Sequence, residues 1–155
     1  MFKKIVVMVS VMVMVAFGRI DVVHETDEFG DSNGKSRLNL YSEDINGTFM
    51  FQPSTGIYSY ILLEYTGMFD KGDVIDIRIK NDLDEVISIN ATIKMQTLEG
   101  TGYLIYNSDA DKLIDFIKKS NTIRVVVRDY NNRAIMKTIS CAGFTVKYND
   151  YINNL

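Results

Sequence analysis

Between residues 73 and 95 the chain alternates apolar and polar side chains, and this period of two restricts its folding more than any other feature. Ile75, Ile77 and Ile79 fall on one side of an extended strand, and Asp76, Arg78 and Lys80 fall on the other. After Asn81-Asp82-Leu83-Asp84 the pattern resumes, with Ile87, Ile89, Ala91, Ile93 and Met95 set against Val86, Ser88, Asn90, Thr92 and Lys94. Successive side chains of a strand point to opposite faces, so each run buries one face and wets the other. Two such runs joined by a turn rich in Asn and Asp predict an antiparallel hairpin.

Other segments read as strands too, most by alternation, 48–51 as a short apolar run, and 57–65 as a buried strand too continuous for simple alternation. Strands are predicted over 19–26, 35–42, 48–51, 57–65, 101–106, 122–128 and 133–142, with a last short strand after Gly143-Phe144. Between them lie turns at 27–34, at Asn46-Gly47, at 67–72 and at 129–132, and Pro53 and Gly56 stop the third strand. The segment from Tyr103 to Phe144 is the most strongly patterned. It holds a strand, one helix and a hairpin. Ser108-Asp109-Ala110-Asp111 supplies an N-cap with acids at the positive end of the helix dipole, and Leu113, Ile114 and Ile117 form the apolar stripe. Val, Ile, Thr, Tyr and Phe outweigh Ala, and a single Pro contrasts with 10 Gly. The expected fold is therefore all-β, an antiparallel sandwich of about ten strands with one helix at about 108–119, in one domain over 19–155.

The first eighteen residues read differently. A basic start at Lys3 and Lys4, an apolar run over 5–17 broken by Ser10, and Ala16-Phe17-Gly18 predict a secretory signal peptide cut near Gly18. The alternative is an uncleaved membrane anchor, but the run is shorter than the roughly 20 apolar residues that span a bilayer, and no stable membrane span is expected after cleavage. Removing Lys3 and Lys4 leaves 15 basic against 20 acidic side chains, a net charge near −5. That balance gives no electrostatic reason to expect a nucleic-acid partner. Cys141 is alone, so no intramolecular disulfide can form, and it reads as a small buried hydrophobe.

A resemblance follows from the order of these motifs. Asp73-Val-Ile-Asp-Ile-Arg-Ile-Lys80, Tyr103-Leu-Ile-Tyr106, Asp111-Lys-Leu-Ile-Asp-Phe-Ile-Lys-Lys119, Ile123-Arg-Val-Val-Val127 and Ser140-Cys-Ala-Gly-Phe144 resemble a family of small exported bacterial proteins. These include the invasion-associated locus B proteins and the exported accessory proteins of type VI secretion clusters. The resemblance implies a β-sandwich with one helix, located in the periplasm or secreted. It implies no catalytic residue. Related domains often carry two Cys in the central strands, and this sequence has none there, so no disulfide is implied.

Chemistry is thinly represented. His24 is the only histidine, and with Cys141 it cannot close a tetrahedral zinc site without carboxylates. Asp27, Asp31 and Asn33 are weak calcium candidates, because their run lacks the alternating ligands and closing Glu of a calcium loop. Asp70, Asp73 and Asp76 are spaced by three, but Asp73 and Asp76 fall on opposite strand faces. No Gly-rich phosphate loop opens a helix. No cofactor and no catalytic residue is expected. The functional expectation is a non-enzymatic envelope or secreted protein that binds another protein, with a phage or mobile element as one source of its gene. Asp27, Glu28, Phe29 and Asp31 in one turn, with Met68 and Phe69 in another, are the expected partner contacts. An enzyme inhibitor resembling lysozyme inhibitors, using the 27–34 turn, and a carboxylate-based hydrolase are the alternatives. N-terminal sequencing of the mature protein is expected to begin at or near Arg19. Recovery of intact Met1 in the cytosol would overturn the export prediction.

Overall fold

The computed structural model describes residues 19–26 and 28–155. The predicted signal peptide over 1–18 and Asp27 lie outside the described residues. In chain order the elements are β1 (Arg19–Thr26), β2 (Ser32–Tyr41), β3 (Gly47–Gln52), β4 (Ile57–Leu62), β5 (Val74–Asn81), β6 (Val86–Gln96), β7 (Thr101–Ile105), α1 (Asn107–Lys118), β8 (Thr122–Arg128), β9 (Ala134–Ser140) and α2 (Phe144–Asn153). The strands form one nine-stranded sheet in the order β1-β2-β3-β4-β7-β6-β5-β8-β9, with antiparallel neighbours throughout. The all-β antiparallel class is as expected. The two facing layers of a sandwich are replaced by one continuous sheet, because the β4–β7 and β5–β8 pairs join the halves through hydrogen bonds. Alternation reveals strands, but not which strands meet.

Two crossings set the order. The 63–73 connection carries the chain from β4 past two strand positions to β5, and β6 and β7 then return to β4. From β7, α1 carries the chain back to β8, beside β5. The β5–β6 turn forms as the sequence predicts. The Asn81 carboxamide oxygen accepts the Leu83 and Glu85 amides at 3.0 and 2.9 Å, an Asx turn that leads directly into the next strand.

Apolar side chains from every strand meet on one face of the sheet in a shared core, which includes Leu38, Phe49, Tyr60, Tyr103, Ile89, Ile77, Val125 and Ile139. Burying a side chain of this size stabilises the fold by about 1.5–3 kcal/mol. The sheet curls around this core, and the turn between β2 and β3 reaches the last strand. There the Glu43 amide donates to the Thr138 carbonyl at 2.9 Å. Lys137, only 7% exposed on the core side of β9, donates to Asp44 at 2.7 Å and to Glu64 at 2.5 Å. Gly47 permits the approach. A Cβ at this position would lie 2.6 Å from the Tyr60 hydroxyl and 3.0 Å from Lys137 Cγ.

Helix α1 appears close to its predicted span, with Ala110, Leu113, Ile114, Phe116 and Ile117 buried. Its N-cap position is Tyr106, with no side-chain cap. Asp109 instead accepts the Asn90 amide of β6 at 2.7 Å, tying the helix to the sheet. At the other end Asp82 accepts the Asn121 and Thr122 amides at 2.7 and 3.2 Å. The predicted last strand is a helix. Gly143 (φ 81°) turns the chain into α2, and Phe144, Tyr148 and Tyr151 are buried at spacings of four and three, the period of a helix. The other corrections are smaller. β4 ends at Leu62, leaving Leu63 and Tyr65 exposed, and β2 begins at Ser32, so the first turn is shorter than 27–34.

Lys137 generates a stability prediction. Burial pulls its ammonium pKa down, but the hydrogen bonds to Asp44 and Glu64 outweigh burial, so the pKa stands above the ordinary value. The Asp44 carboxyl is lowered from 3.8 to about 2, chiefly by the hydrogen bond from Lys137 and then by that from Ser42. A carboxyl whose folded pKa is depressed contributes stability above its unfolded value and loses it as pH falls through the folded one. Urea midpoints are therefore expected to drop from about pH 4 to about pH 2, and Asp44→Asn is expected to flatten that slope. At neutral pH Lys137→Met is expected to lose about 2 kcal/mol, measured by urea unfolding.

Candidate functional site

On β5 and β8 the inward positions are Ile77, Ile79, Ile123, Val125 and Val127, all buried. The residues between them therefore face out: Asp76, Arg78 and Lys80 on β5, and Arg124, Val126 and Arg128 on β8. The β5–β8 register sets Arg78 opposite Val126 and Lys80 opposite Arg124. On the far side of β8, Val126 faces Met136 and Arg128 faces Ala134 of β9. This face lines a groove of about 690 Å³. Val74, Val86, Val126 and Met136 contribute apolar surface, and Phe69 and Tyr130 add two aromatic rings to its lining. The two rings pack edge to face, with centroids 5.6 Å apart.

Four cations line the groove, Arg78, Lys80, Arg124 and Arg128, against two carboxylates, Asp76 and Asp129. Lys80 pairs with Asp84 in the adjoining turn at 3.3 Å, and Arg128 donates to the Asn132 carbonyl at 2.9 Å. Asp129 accepts the Arg133 amide at 2.8 Å, holding the β8–β9 turn. Among the described residues, the side chains of Arg78 and Arg124 have no hydrogen-bond or ion-pair partner. Like charges directly opposite each other on adjacent strands are destabilising, and Lys80 with Arg124 is such a pair. The protein carries a formal charge of −3, so this cationic face opposes its overall balance.

The two turns singled out from sequence lie apart. Thr26 pairs with Ser32 at one end of the β1–β2 hairpin, whereas Arg19–Tyr41, Thr48–Tyr41 and Gly47–Leu62 mark the other end, from which the 63–73 connection leaves. Phe29 is 82% exposed at the first end. Met68, 79% exposed, and the half-buried Phe69 are at the second, with Phe69 lining the groove. Glu28 and Asp31 are exposed beside Phe29. The Asn33 side-chain oxygen accepts the Lys35 amide at 2.9 Å, and Asp73 accepts the Asp70 amide at the same distance, so both serve their own turns. Among the described residues no three His, Cys, Asp or Glu side chains gather to hold a metal ion.

His24 is exposed on β1, an outermost strand of the sheet. Cys141 is buried, and burial, with a smaller effect from the Asp82 charge, pushes its thiol up to about 12. Burial of this kind disfavours the thiolate, the nucleophilic form of cysteine. No helix among the described residues is long and apolar enough to cross a membrane.

The groove residues were visible strand by strand, since the alternation sets Arg78 and Lys80, and likewise Arg124 and Arg128, on the wet face. Their convergence was not visible, because it depends on the β5–β8 pairing between distant segments. No family model, curated protein or solved structure matches the chain. Because Arg124 sits opposite Lys80, Arg124→Thr is expected to leave the melting temperature unchanged or to raise stability by a few tenths of a kcal/mol, about 0.2–0.5, by calorimetry.

Proposed function

We propose that this is an exported, non-catalytic binding protein of the bacterial envelope or extracellular space, engaging another protein through the outer face of β5, β8 and β9. The observation that carries this reading is the pair of unpartnered guanidinium groups of Arg78 and Arg124, beside the apolar side chains of Val126 and Met136. A fold gains nothing from setting Arg124 against Lys80, and such local conflict is expected where a surface is shaped for a ligand. The apolar floor and its two aromatic rings suit a protein interface, where an apolar centre is combined with arginine and aromatic side chains. Export is supported by Lys3, Lys4 and the apolar run over 5–17, and by the motif order that resembles small exported bacterial proteins.

One observation favours a second reading, that of an enzyme inhibitor. Phe29 stands 82% exposed at a turn between two strands, the kind of element that enters an active site. A photo-crosslinking residue placed at Met136 or at Phe29 in whole cells separates the two. The groove reading expects a protein adduct from the Met136 position and none from Phe29. Adducts only from Phe29 would overturn the groove and leave the inhibitor.

A further inference from the structure

We infer that the groove receives an extended acidic segment of the partner, with two carboxylates four residues apart and an apolar side chain midway between them. The inference rests on the binding reading above and specifies what that surface recognises. Along β8 the outward side chains run Arg124, Val126, Arg128, cation then apolar then cation. In an extended chain, side chains on one face repeat every two residues, about 6.8 Å apart. A partner strand laid along β8 therefore brings side chains i, i+2 and i+4 over Arg124, Val126 and Arg128 in step. Met136 widens the central apolar position from β9, and Arg78 adds a cation opposite Val126 from β5.

The free charges favour carboxylates. The Arg78 and Arg124 guanidinium groups have no partner among the described residues, and a guanidinium fork matches a carboxylate in two parallel hydrogen bonds. A compact anion is a poorer fit, since Arg124 and Arg128 are spread over about 14 Å of strand rather than converging on a point. Single-stranded nucleic acid is a poorer fit too. Its bases need open aromatic faces, whereas Phe69 and Tyr130 pack against each other and the rest of the floor is aliphatic. The formal charge of −3 also gives a long polyanion no general attraction.

The test uses the full mature chain and fluorescence anisotropy with a labelled peptide carrying Glu-Thr-Leu-Thr-Glu between Ser-Gly flanks. Saturable binding is expected. Glu→Gln in both acids, or moving the two acids to adjacent positions, is expected to weaken it about tenfold, as is Arg78→Thr with Arg124→Thr. Arg78→Lys with Arg124→Lys is expected to recover part of that loss, because charge returns without the fork. Circular dichroism melts of each variant establish that the fold is intact. Equal binding of the Glu and Gln peptides would overturn the inference, as would tighter binding of oligo-dT or of phosphatidylglycerol vesicles than of the peptide. The crosslink at Met136 separates the two levels of the argument. An adduct on a partner segment without acids sinks this inference and leaves the binding reading standing, whereas no adduct at Met136 sinks both.

Discussion

The fold turns on a lysine placed where a strand would ordinarily bury an aliphatic side chain. Lys137 lies on the core side of β9 in line with Ile139, yet it ends in an ammonium that needs anions. An isolated buried charge is strongly unfavourable, and Asp44 and Glu64 make this one tolerable. They come from the turn after β2 and from the connection after β4, so the contact ties the final strand to the opposite half of the sheet. Among the described residues β9 has only β8 as a strand neighbour. Without the clasp the sheet would have a loose end, and that end also bears Met136 and Ala134, which flank the groove. The curl of the sheet and the form of the cationic face are thus parts of one mechanical arrangement.

Local features of this arrangement could be read from sequence, and distant ones could not. Most β-strands announced themselves through period two, 48–51 and 57–65 through short apolar runs bounded by turns, and α1 through its apolar stripe. α2 escaped because Gly143-Phe144 resembles the entry to one more strand. The spacing of Phe144, Tyr148 and Tyr151 held the correct answer, a helix presenting one aromatic face to Phe51. The sandwich expectation had a different origin. Many alternating strands separated by turns suit two facing layers as well as one curled sheet, and the choice depends on which edges meet. The candidate partner contacts failed to converge for the same reason. Phe29 and Met68 sit in similar-looking turns, but successive antiparallel strands carry those turns to opposite ends of the sheet.

The charge pattern follows the same division. Arg124 and Arg128 on one strand, or Arg78 and Lys80 on another, are each an ordinary solvated face. Only their adjacency makes an electrostatic site, and adjacency comes from the path of α1. Asp82 reinforces that path. Its carboxylate, held below the usual range chiefly by the Thr122 and Asn121 amides, links the β5–β6 turn to the start of β8. A side chain in the turn of one hairpin thus also aligns the strand that completes the cationic face.

The α1 crossing has a consequence in time as well as in space. One wall of the groove is laid down by residue 80, but the other is contributed by β8 and β9, and Lys137 fixes the sheet only near the end of the chain. A chain folded only that far therefore carries Arg78 and Lys80 of β5 with nothing facing them from the β8 side. The cationic face is complete only in the finished tertiary structure, so β5 and its hairpin partner alone cannot present it.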